Sequence, residues 1–245
     1  MPSSNTPSDS SPSGRSPPSP IAPDPSRSTE GPPSATPWAG LALLLFVVAL
    51  LGFGAALDGY SHSVHPVALL GARGVPHWLG FDVLGLLAPG LLAWWALVRA
   101  GRAMERTSAG GEFGMVGRIG WTLCTLSALA FALQGLLPVD AQRGLDYGIG
   151  RLNTAAWTVW WIAFGAGAVA LAVGAGTHPA LRRTRIATLI AAVVVLALSF
   201  VVAIPGAPAL GQRIAFVAWF AWILGMASVS ARASKSVSSK SGSSK

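Results

Sequence analysis

The chain has 245 residues, of which 52% are hydrophobic and only 11% charged, with a mean hydropathy of +0.55. A soluble domain carries about a quarter charged residues because its surface must meet water, so this composition excludes an ordinary soluble fold and makes a membrane protein the starting class. The net charge of +8 does not point to nucleic acid, because the basic residues are scattered between apolar segments with no recognition helix and no aromatic RNA-binding motif.

Residues 1–36 are mostly Ser and Pro and cannot bury enough apolar surface to offset their ordering entropy, so a disordered cytoplasmic segment is expected. They lack the apolar core and cleavage site of a signal peptide, which leaves the first hydrophobic segment as a retained anchor. Residues 37–231 then hold six apolar runs, at 38–57, 78–98, 119–137, 154–176, 186–204 and 214–230. Each has about 17 to 23 residues, the length a helix needs to cross roughly 30 Å of hydrocarbon. The expected fold is an all-α integral membrane bundle of six transmembrane helices, followed by a disordered Ser/Lys tail over 232–245.

The basic residues orient this bundle. Arg15, Arg27, Arg99, Arg102, Arg106, Arg118, Arg182, Arg183, Arg185, Arg232, Lys235, Lys240 and Lys245 fall on one side, against Arg73, Arg143, Arg151 and Arg213 on the other. Positive residues mark the cytoplasmic side, which places both termini in the cytoplasm. Trp38, Trp94, Trp95 and Trp121 lie near cytoplasmic ends and Trp78, Trp157, Trp160 and Trp161 near outer ends, as interfacial rings prefer; Trp219 and Trp222 are deeper and read as packing between helices. Ala168, Ala172 and Gly176 form a small-residue stripe for close helix approach. Arg182, Arg183 and Arg185 can meet anionic lipid headgroups, although marking topology is their plainer use. The bilayer itself is the one certain partner of such a chain. The single cysteine, Cys124, permits no intrachain disulfide.

The unusual residues collect in the outer connections. The first contains Asp58, His62, His65, Arg73 and His77, with Asp82 just inside the second run; the third contributes Asp140 after Pro138. His62 and His65 are close enough in sequence to share an ion, and His77, Asp58 or Asp140 could complete a zinc site of imidazole and carboxylate ligands. A water on that metal, with Asp58 or Asp140 as base, would make a hydrolase of lipid or other membrane substrates. The same residues equally suit capping helix ends and pairing with arginines, and Asp140 is an ordinary turn former. No HExxH or paired CxxC spacing favours the metal. Haem is disfavoured because no His lies within a span to serve as axial ligand. Coupled transport is disfavoured because no charged group sits at the centre of any run, leaving passive transport as a lesser alternative.

The order of these features resembles a family. A span is followed by an Asp and a His-Pro-x-x-x-x-Gly segment (His65, Pro66, Gly71), and the third span ends in Gly-x-x-Pro-x-Asp (Gly135, Pro138, Asp140). This arrangement is similar to the six-helix bacterial membrane proteins grouped as DUF998, whose function is unknown. The resemblance covers roughly residues 38–230 and implies six helices with an outward polar site. Members carry a His at the start of the fourth helix where this chain has Asn153. The Asp and His of one face also resemble ceramidase-like membrane hydrolases, but those draw further histidines from late helices, and here the fifth and sixth runs have none. The sequence therefore leaves two classes, a non-enzymatic scaffold, sensor or lipid-interacting protein and a metal-dependent hydrolase.

Overall fold

The computed structural model describes residues 34–107, 114–142, 148–174, 179–201 and 204–242, all of them within one unit, Ser34–Lys245. The Ser/Pro-rich segment lies almost entirely outside the described residues, as do Arg143, Gly176 and His178. Among the described residues, seven α-helices follow in order: α1 Thr36–Ala56, α2 Trp78–Phe81, α3 Ala88–Thr107, α4 Met115–Gln134, α5 Ile149–Gly174, α6 Pro179–Leu196 and α7 Leu210–Gly242. Among the described residues there is no strand, and one isolated backbone bridge joins Arg73 to Asp140.

Among the described residues, five helices are long and apolar enough to cross a membrane: Thr36–Ala56, Trp78–Arg106, Met115–Gln134, Ile149–Gly174 and Leu210–Ser236. α6 is not among them, because its 18 residues include Arg182, Arg183 and Arg185. Helix bounds and apolar runs do not coincide. α3 continues to Thr107 through Arg99, Arg102 and Arg106, and α4 starts at Met115 and ends at Gln134, short of the expected 137. An apolar run marks the hydrocarbon-matched part of a helix, whereas the backbone bonds continue until a cap or a break. At the other end, α7 runs on through Arg232 to Gly242, into the segment expected as a tail. A helix already nucleated within a packed span adds residues at little cost, and Ser234 and Ser236 return their hydroxyls to carbonyls of the preceding turn.

The packing inverts the soluble pattern. α1 buries Ala39, Ala42, Phe46 and Ala49 while exposing Leu41, Leu44, Val48 and Leu51. Where the surroundings are apolar, nothing drives the large side chains inward, and small ones let backbones approach. The most extensive contact, α4 against α5, is built this way. A methyl group on Gly120 would fall 2.5 Å from the backbone N of Leu171, and one on Gly167 would fall 2.8 Å from the backbone N of Cys124. Gly174 meets Gly117 across the same seam. Of the expected stripe, Ala168 and Ala172 are buried, but the closest backbone approaches on α5 are made by glycines outside it, at 167 and 174.

α2, a π-helical stretch at Asp82–Leu87 and α3 form one continuous helix. Pro89 explains the widening. It has no N–H to give the carbonyl of Gly85, and its ring would crowd that carbonyl in a regular α-helix; the wider turn instead bonds the N–H of Ala88 to Val83. The middle of the bundle is aromatic. Phe131 of α4 lies 5.9 Å from Phe46, 5.0 Å from Phe216 and 5.1 Å from Trp219, and Trp160 lies 4.8 Å from Phe216. Trp219 and Trp222 donate to Ser127 and Thr188, as their deep placement implied. Trp160 and Trp121, expected at the interface, are instead buried, because their rings fill space between helices that small residues leave open.

Replacing Gly120 with Val should lower the unfolding free energy in detergent by about 1–3 kcal/mol, the usual penalty of overpacking. The same change at Gly114, where no atom lies within 4 Å, should have little effect. Thermal melts of the two variants check this, and equal melting temperatures would contradict a backbone-limited α4–α5 seam.

Candidate functional site

The first connection folds back onto the start of α7. Arg213, in the first turn of that helix, is only 6% exposed. Its Nη1 donates to the carbonyl of Ala209 at 2.7 Å, and its Nη2 donates to the carbonyl of His65 at 2.9 Å and to the hydroxyl of Tyr60. The guanidinium also lies 5.7 Å from the Tyr60 ring centroid. Tyr60 passes its own proton toward the carbonyl of Pro66. Two further bonds complete the tie: Val67 N–H to Gln212 Oε1 at 3.0 Å and Ala209 N–H to the carbonyl of Ser63 at 3.0 Å. A buried charge is costly unless hydrogen-bonded, and here neutral oxygens supply the charge-assisted bonds.

The two histidines of this segment pack on Tyr60 from different directions. His65 stacks at 5.6 Å, and its Nδ1 accepts the backbone N–H of Ser61 at 2.9 Å. His62 meets the same ring edge-on at 5.1 Å and fills the space that Gly54 leaves by lacking a side chain. Burial, and secondarily the positive charge of Arg213, hold the His62 imidazole below its ordinary pKa of 6.5. Burial raises the Tyr60 hydroxyl above its usual value, with Arg213 opposing.

Of the remaining candidates, Arg73 adjoins Asp140 through a backbone bridge and lies near enough to Asp82 to act on its charge. Arg73 is exposed, and its backbone pairs with the third connection, Arg73 N–H to Val139 at 2.7 Å and Ala141 N–H to Arg73 at 3.2 Å. Asp140 Oδ1 accepts the N–H of Gln142 at 2.9 Å, a turn-forming bond. Asp82 is 2% exposed beneath Gly71, where any side chain would collide with the carboxylate, and its Oδ2 has no hydrogen-bond partner among the described residues. His77 stands at the N-cap position of α2 in a left-handed backbone with φ of 61°, with no side-chain bond to the helix end, and Asp58 is exposed in the turn after α1.

Among the described residues, no three His, Cys, Asp or Glu side chains come together to hold a metal ion. The zinc set expected from His62, His65 and His77 with Asp58 or Asp140 is therefore not assembled. Proximity in sequence was no guide because the rings of His62 and His65 are committed to Tyr60. In the sequence Arg213 carries only a weak signal: it is the sole charged residue between Arg185 and Arg232, and that isolation sets it apart from an ordinary loop charge. Asn153, standing where the resembled family has His, is 6% exposed and donates both amide protons, to the carbonyls of Gln134 at 3.2 Å and Leu137 at 2.9 Å. It closes the end of α4 against the start of α5.

Arg213→Met would remove the donor to the Tyr60 hydroxyl and to the carbonyls of Ala209 and His65, and should lower stability in detergent by about 2–4 kcal/mol; an unchanged denaturation midpoint would contradict this role of Arg213. In the native chain, the His62 ring resonances should titrate below pH 6.5. The sign follows from linkage: a depressed imidazole binds fewer protons folded than unfolded, so this stabilisation is present above about pH 6.5 and is lost as pH falls toward the folded-state value. A ring titrating above 6.5 would exclude the burial of His62 described above.

Compared with known proteins, the chain matches no family model, no curated protein and no solved structure.

Proposed function

We propose that this chain is a non-enzymatic multi-pass protein of a bacterial inner membrane, a scaffold, sensor or lipid-interacting protein, with six spans and both ends in the cytoplasm. The observation that carries the reading is the use made of the outer polar residues. Tyr60, His62 and His65 engage one another and Arg213, Arg73 pairs with the Val139–Ala141 backbone, and Asp140 makes a turn, an arrangement suited to capping a bundle rather than to presenting a reactive centre. The outward leucine and valine stripe of α1 supports a lipid environment, since a contiguous apolar surface of this kind is unfavourable in water. α6 carries the same device in Ile186, Ile190 and Val193, all exposed, which supports a sixth crossing. The resemblance to the DUF998 proteins, carried by His65, Pro66, Gly71, Gly135, Pro138 and Asp140, is consistent with that count.

The test has two arms. With Cys124 replaced by Ala, single cysteines at Ser4 and Ser239 should both resist a membrane-impermeant maleimide in intact cells and react after lysis, because an even number of crossings leaves both ends on one side. Labelling of only one end would mean an odd number of crossings. The second arm is the metal content of protein purified without chelator and re-supplied with zinc. Stoichiometric metal that is lost in a His62→Ala/His65→Ala variant would overturn the capping role in favour of the hydrolase.

A further inference from the structure

At the end of the bundle where α4 stops and α5 and α7 begin, a cavity of about 260 Å³ lies between the Pro66–Ala68 segment and the helices. Its polar lining is made of amides and a hydroxyl, from Gln134, Asn153, Thr154 and Gln212, and Trp157 and Phe216 supply aromatic walls. The bonds already made within the chain define what each group can offer. Both protons of Asn153 go to the carbonyls of Gln134 and Leu137, so its Oδ1 is left as an acceptor. Gln212 Oε1 is taken by the N–H of Val67, so its Nε2 is left as a donor. Thr154 gives its proton to the carbonyl of Gly150 and retains only lone pairs. Gln134 is 5% exposed, and its Nε2 has no partner among the described residues. A buried donor without a partner costs free energy comparable to a lost hydrogen bond, and here that donor belongs to a side chain lining a hollow.

From this lining we infer that the cavity is a binding site for a small uncharged molecule bearing a carboxamide or an equivalent pairing of acceptor and donor beside a flat apolar part. The ligand's carbonyl oxygen accepts from Gln134 and Gln212, its N–H donates to Asn153 or Thr154, and its apolar part lies against Trp157 and Phe216. No charged side chain lines the cavity, so a carboxylate, phosphate or ammonium group would be desolvated there without a counter-charge. The volume corresponds to about nine water molecules at roughly 30 Å³ each, which limits the ligand to about that many non-hydrogen atoms. The inference goes beyond the capping role and does not depend on the number of spans.

The probe is 4-fluorobenzamide, followed by fluorine NMR with the detergent-purified full chain and with empty micelles as control. Saturable broadening is expected in the range up to about 50 mM, with displacement by benzamide and none by equimolar benzoate. Gln134→Leu should weaken binding by about tenfold or more through loss of the donor. Ala68→Phe, which fills the hollow and leaves its hydrogen-bonding groups in place, should abolish binding and decides the matter if Gln134→Leu does not fold. Signal no greater than with empty micelles, equal displacement by benzoate, or native affinity in a folded Ala68→Phe protein would each overturn the site. Loss of binding here leaves the capping role intact, because that role is read by metal content and labelling.

Discussion

How closely two helix backbones can approach governs much of this molecule. α4 and α5 meet without side chains between them at Gly117, Gly120, Gly167 and Gly174, and in an apolar surrounding such contact is gained from dispersion and interlocking shape rather than from expelling water. With that seam closed, Phe131 and Trp160 emerge side by side and present a wall to α7 and α1. Phe46, Phe216, Trp219 and Phe220 pack onto it at ring separations of 4.8–5.9 Å. Asn153 then fastens one end of the seam by bonding the carbonyl of Gln134, the last residue of α4, and that of Leu137 just beyond it. The aromatic core and the amide-lined hollow both depend on these two helices staying in register.

A second kind of order rules the connections at that end. Backbone outside a helix has donors and acceptors to satisfy, and in this chain a cation does much of that work. Arg213 gathers oxygens from Tyr60, His65 and Ala209, so residues far apart in sequence are drawn to one guanidinium. Arg213 suits this task because its planar fork remains charged and spreads its donors over several acceptors at once. His62 and His65 then pack around Tyr60, while His77 stands apart from them at the start of α2.

Much of the helical architecture is legible in the sequence, because apolar length is a local property. Trp38 to Leu57 could be read as a span from composition alone, and α1 occupies nearly those residues. What was not legible depended on distant partners. Tyr60 and Arg213 are 153 residues apart, and no spacing rule links them. The His62–His65 interval looked like a chelate because residue type was visible and ring orientation was not. The two glycines of the resembled motifs show the same limit: Gly71 lies over the Asp82 side chain, and Gly135 lies against the Asp82 carbonyl. The sequence displays them as separate signatures, whereas in space both make room for one residue. The extension of α7 past Arg232 was hidden for a different reason, since a Ser/Lys composition describes an isolated peptide and not the continuation of an established helix.

The widened turn at Asp82–Leu87 has a geometric consequence for everything after it. A π turn accommodates one residue more than an α turn, and each residue advances the helix by about 100°. The wide turn therefore takes up one residue without advancing the phase of the second half. Ala93, Ala96, Leu97, Ala100 and Met104 are all fully buried and form a single inward row, whose bearing is offset from the one a uniform α-helix starting at Trp78 would give. Losing a single residue from the turn would let it close to an ordinary α turn and leave that row on its bearing, whereas losing one from the regular turns that follow would swing the remainder of the row by about 100° around the axis. The wide turn is thus the one place in this helix where length can change by a residue without becoming a rotation.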